Sequence, residues 1–215
     1  MQNPESDNSL VISFLHLRAL VGILGIALPI VMLLYALLLS PCGGIEQSIS
    51  AYYHTHMRNV FVGILCGVGV FMITYNGYDT KDTVTSTLAG IFAICVALFP
   101  TSDVSACEQN GLVNGTIGTI HITMALGLFA MFAYMSIALF TLTSGNMTDK
   151  KKQRNVLYRV CGWTVVACIV IMTLQKFAGV FPATMRPVFW LETIALLAFG
   201  TSWLTKGEGI KLLND

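Results

Sequence analysis

Apolar residues in this chain neither alternate nor recur in narrow stripes; they run in long stretches. Six of these carry almost no charge, at 19–40, 59–75, 84–99, 118–143, 160–174 and 188–204. A helix rising 1.5 Å per residue needs about 20 residues to cross a bilayer core of about 30 Å, so each stretch reads as a transmembrane helix. The fourth contains only His121 and the sixth only Glu192. Arg159 and Lys176 flank the short fifth, where their long stems can reach the headgroups. Asn76-Gly77-Tyr78-Asp79, followed by Lys81 and Asp82, is a turn signal that separates the second and third stretches into a hairpin. The pattern predicts an all-α fold, a polytopic membrane helical bundle of six transmembrane helices forming one domain over residues 1–215.

Details within the spans refine this. Pro29 is expected to kink the first helix, which membrane helices tolerate when neighbours satisfy the freed carbonyl. Gly63, Gly67 and Gly69 place small residues at helical spacing in the second, a pattern for close packing inside the bundle or, alternatively, at a dimer interface. The leading MQNPESDNS is acidic and lacks the positive flank of a signal peptide, so the first apolar run is expected to be a retained helix.

Charge then sets the orientation. Lys and Arg collect on the cytoplasmic side of membrane proteins. Nine of the twelve (Arg18, Lys81, Lys150, Lys151, Lys152, Arg154, Arg159, Lys206 and Lys211) fall on the side of the N-terminus, and three (Arg58, Lys176 and Arg186) on the other. Both termini are therefore expected in the cytoplasm. Only 11% of residues are charged and 55% are hydrophobic, against about 25% charged in soluble domains, which excludes an ordinary soluble protein. A formal net charge of +1 supplies no basic footprint for nucleic acid.

Of six cysteines, Cys66, Cys95, Cys161 and Cys168 fall inside spans, where a thiol packs as a small apolar group. Cys42 and Cys107 fall in external loops and are expected to form a disulfide.

Ionisable groups within or beside the spans point to function because they are costly there. They gather toward the external side: Ser50, Tyr53, His54, His56 and Arg58 before the second span, Asp103 after the third, His121 at the start of the fourth and Glu192 in the sixth. If residues 50–58 are helical, Ser50, His54 and Arg58 share one face. Three readings follow. In the first, Arg58 pairs with Glu192 or Asp103 and the histidines serve as polar contacts between helices, in a structural subunit. In the second, Ser50, Tyr53, His54, Arg58, Asp103, His121 and Glu192 form a pocket for a lipid headgroup or other amphiphile, with no cofactor. In the third, His54, His56, His121 and Asp103 hold zinc in a membrane-embedded lipid hydrolase. A His-x-His pair converges on one metal only in extended backbone, so that third reading requires residues 54–56 to be non-helical. No HExxH, CxxC pair or glycine-rich phosphate loop is present.

The segments SISAYYHTHMRNVFVGILCGVGVFMITYNGYD, LAGIFAICVALFPTSD, GTIHITMALGLFAMFAYMSIALF and FWLETIALLAFGTSWLTKG together resemble the bacterial DUF998 family and, more distantly, the Frag1/DRAM/Sfk1 group. The resemblance implies a six-helix integral membrane protein, in a bacterial plasma membrane, without an established catalytic activity. It also implies an association with membrane lipid. It assigns no catalytic residue, and neither a protein partner nor a homo-oligomer is specified.

Overall fold

The computed structural model describes residues 4–41, 43–77, 79–102, 114–143, 145, 147–210 and 213, with the side chains of residues 4–13 excepted. Among these residues the protein is all-helical. Six α-helices follow in order: α1 (Pro4–Leu38), α2 (Arg58–Thr74), α3 (Thr80–Leu98), α4 (Gly115–Tyr134), α5 (Asp149–Ala178) and α6 (Pro187–Lys206). All but α2 are long and apolar enough to cross a membrane. At 17 residues α2 is a shorter apolar helix, spanning about 25 Å at 1.5 Å per residue.

Two helices extend well beyond the charge-free runs. α1 begins at Pro4, a residue suited to a first turn, and continues through Pro29. α5 begins eleven residues before the run at 160–174 because Thr148 caps it, its hydroxyl accepting from Lys151 N–H at 3.1 Å. Gly179 ends it at φ 57°, the left-handed geometry that glycine adopts freely. The charge-free run thus marks the apolar core of each helix and not its ends. The expected hairpin between α2 and α3 is present, with Asp79 capping α3 through Asp82 N–H at 2.8 Å.

Each helix packs against its sequence neighbours, and α6 returns to lie along α1, so the six close into a ring. Close approach depends on glycine at two seams. Between α1 and α6, a Cβ on Gly200 would come 2.6 Å from the Gly22 carbonyl oxygen. Between α2 and α3, a Cβ on Gly90 would come 2.5 Å from the Gly69 carbonyl oxygen. Gly69 therefore packs inside the bundle as its spacing suggested, whereas a Cβ on Gly63 or Gly67 would meet nothing within 4 Å.

Rings fill the centre. Phe132 of α4 stacks on Phe199 of α6 with centroids 3.5 Å apart, and Trp203 continues the column to Tyr75 and Phe140. After Tyr134, α4 widens into a π turn over Met135–Leu139, where buried Ser136 and Ser202 hydroxyls meet at 2.9 Å. The carbonyls beyond that turn are taken by α5: Lys151 Nζ donates to Phe140 O at 3.0 Å and Asn155 Nδ2 to Thr141 O at 3.2 Å. Outward positions such as Ile23, Leu34, Val160, Trp163, Val170 and Leu174 are exposed. An apolar exterior of that extent belongs in lipid, and with the five long apolar helices it marks an integral membrane protein.

The two glycine environments give a direct test. Gly200→Ala should destabilise detergent-solubilised protein by about 1–3 kcal/mol through overpacking. Gly63→Ala should be neutral or stabilising by up to about 1 kcal/mol, since it improves helix propensity without contact. Equal thermal unfolding shifts for the two would contradict the seam.

Candidate functional site

The polar layer flagged by the sequence closes one end of the ring. After α1, the chain folds inward as a plug: Glu46, Ser48, Ile49, Ser50, Ala51, Tyr52 and Thr55 are buried. Ser50–His54 is a single 3-10 turn, and Thr55 is extended before α2 begins. The common helical face expected for Ser50, His54 and Arg58 is therefore interrupted. Tyr52 sits between Tyr35 and Phe189. Its hydroxyl accepts from Glu46 N–H at 3.5 Å, and burial pushes its phenol up to about 12, so it stays neutral.

The remaining flagged residues fasten this plug. Glu192 Oε2 accepts the Ile49 N–H at 2.6 Å, and Phe189 N–H donates to Gln47 O at 3.1 Å, tying the plug to the start of α6. His54 Nε2 lies 2.9 Å from Thr101 O and His121 Nδ1 lies 2.6 Å from Phe99 O. A carbonyl only accepts, so each ring nitrogen carries a proton there. The carbonyls of Phe99, which ends α3, and of Thr101 just beyond it are satisfied in this way. Arg58, which one reading of the sequence pairs with Glu192 or Asp103, is exposed and meets Tyr53. Its guanidinium donates to the Tyr53 hydroxyl at 2.7 Å and lies 4.5 Å above the ring.

His56 is exposed. Asp103, Cys42 and Cys107 lie outside the described residues. Among the described residues, no group of three or more His, Cys, Asp or Glu side chains is arranged to hold a metal ion. His54 ends a 3-10 turn, while Thr55, between the two histidines, is extended.

At the opposite end the ring opens into a cavity of about 500 Å3. It is lined from the N-terminal part of α1, the starts of α3 and α5, and the ends of α4 and α6, so successive helices run antiparallel. Four cations line it, Arg18, Lys151, Arg154 and Lys206, together with three acids, Asp79, Asp82 and Glu208. Arg18 is 2% exposed. Its NH2 donates to the Tyr75 hydroxyl at 2.6 Å, which donates in turn to Asp82 Oδ2 at 3.1 Å. The Phe14 and Tyr75 rings flank the guanidinium at 4.3 and 5.0 Å. Arg154 NH1 donates to Leu213 O at 3.0 Å.

No family model, curated protein or solved structure matches the chain.

The acids take part in the fold. Asp79 caps α3, and Asp82 accepts from Tyr75. Lys carries three donors and Arg five, so these cations can keep a structural bond while also contacting an anion. The arrangement is suited to a phosphate or carboxylate at headgroup depth, beside the apolar surfaces of Leu15, Leu139 and Leu142. Sequence reasoning used these cations only as markers of topology. The overlooked signal was Arg18, four residues inside the apolar helix segment Phe14–Leu38.

Different costs are expected for two residues of the plug. Glu192→Leu leaves the buried Ile49 N–H without its acceptor and should cost about 1–3 kcal/mol. Arg58→Leu removes an exposed ring contact and should cost less than about 1 kcal/mol. A loss of about 3 kcal/mol or more in the Arg58 variant, by unfolding in detergent, would indicate a buried ion pair.

Proposed function

We propose that this protein binds the anionic headgroup of a membrane amphiphile in the cavity lined by Arg18, Lys151, Arg154 and Lys206. The proposal places all six helices across the membrane, α2 included, with both termini cytoplasmic and the cavity at the inner headgroup layer. The observation that carries it is the grouping of four cations around about 500 Å3 of space at the end bearing most of the Lys and Arg. That count of nine against three supports the orientation. Anionic lipids enrich the cytoplasmic leaflet and draw basic groups at this depth. The resemblance to DUF998 and Frag1-like membrane proteins agrees in pointing to lipid, and a bacterial plasma membrane is the location it implies. No cofactor enters this reading.

Native mass spectrometry with phosphatidylglycerol and phosphatidylcholine of matched chains tests the site. Phosphatidylglycerol should be retained preferentially, and Lys206→Gln with Arg154→Gln should weaken its binding roughly a hundredfold, the loss of two charge-assisted contacts of about 1.5 kcal/mol each. Arg58→Gln should leave binding unchanged. Loss in the Arg58 variant alone would return the site to the opposite end.

The Cys42–Cys107 disulfide belongs to the same orientation, which puts both cysteines in an oxidising compartment. Maleimide labelling of unfolded protein should modify four of the six cysteines before reduction and all six after it. Six reactive thiols without reductant would exclude the bridge.

A further inference from the structure

A second, smaller cavity of about 50 Å3 lies between α1 and α2. Leu17 and Val21 form its α1 wall, Phe71 and Thr74 its α2 wall, and Trp203 contributes from α6. Arg18 and Tyr75 also line it. Arg18 is therefore shared by the polar cavity and this apolar crevice. Leu17 and Thr74 are exposed, so the crevice faces the lipid side of the ring. Trp203 is 1% exposed, and its Nε1 has no hydrogen-bond partner among the described residues. A buried indole N–H ordinarily finds an acceptor, and an unmet one marks a place where an acceptor is missing.

We infer that one glycerophospholipid occupies both spaces, its phosphate on Arg18 in the large cavity and the ester-linked start of an acyl chain in the crevice between α1 and α2. Three observations converge on this occupant. The positive cavity is complementary to phosphate. Arg18 stands where the two spaces share a wall, so a phosphate held there has its glycerol beside the crevice. Trp203 lines the crevice and carries an unpartnered N–H, a donor suited to an ester carbonyl, which free phosphate lacks. The small crevice takes only the beginning of a chain, and the rest continues into the bilayer past Leu17 and Thr74. The lipid thus enters from the side, between the two neighbouring helices, and needs no opening through the plug.

This inference rests on the anionic-headgroup reading, and two water-soluble probes separate their failures. One is sn-glycerol 3-phosphate; the other is its 1-butyryl ester, which adds one ester carbonyl and a short chain. Binding is followed by 31P line broadening, and by fluorescence in a Trp163→Phe, Trp190→Phe variant that keeps Trp203 as its one tryptophan. The ester should bind roughly tenfold more tightly, the gain from about two methylenes leaving water, and it alone should shift Trp203 emission. Thr74→Phe, which fills the crevice mouth away from the cations, should abolish both differences and leave glycerol phosphate binding intact. Equal binding of the two probes with no emission change would overturn the crevice while sparing the headgroup site. Binding of neither would overturn both.

Discussion

A guanidinium buried within a ring of apolar helices is the constraint around which this end of the protein is organised. Removing such a charge from water costs several kcal/mol unless it is paired and hydrogen-bonded. Arg18 meets part of that demand through Tyr75, whose hydroxyl accepts from it and donates to Asp82, and through two flanking rings. These contacts draw the start of α1, the end of α2 and the start of α3 to one point. The hairpin between α2 and α3 cannot slide without breaking the relay. The cavity then follows from geometry, since the ends of α4 and α6 and the start of α5 meet around the same group.

The two ends of the ring solve opposite problems. At one, the segment after α1 folds inward and its backbone groups are satisfied by Glu192 and by neighbouring turns. His121 bonds the carbonyl of Phe99 at the end of α3, and His54 that of Thr101 just beyond it. Side chains that looked reactive in the sequence thus serve backbone carbonyls and amides. At the other end, four cations and three acids among the described residues line open space, the arrangement on which the proposed anion site rests. Between them, glycine contacts at Gly22 and Gly200 and at Gly69 and Gly90 hold helix pairs close enough for the aromatic column to fill the middle.

The helices were legible because bilayer thickness imposes a length on apolar runs. Their ends were less so. A run without charges locates the most apolar part of a helix, while α1 reaches back to Pro4 and α5 continues beyond its run to the Thr148 cap. The layer containing His54, His121 and Glu192 was also legible as polar, but its meaning was not, because matching side chains with side chains overlooks backbone partners. The cavity was hidden for a different reason. Arg18, the neighbouring Lys151 and Arg154, and Lys206 come from three distant parts of the sequence, and each reads as a flanking charge. Only closure of α6 onto α1 brings them together.

Electron cryomicroscopy of the protein in nanodiscs formed from its own membrane lipids tests the anion site most directly. Headgroup density in contact with Arg18 and Lys206, continuing toward the α1 and α2 crevice, is expected. A cavity holding water alone, with ordered lipid beside Arg58 and Tyr53 instead, would contradict it.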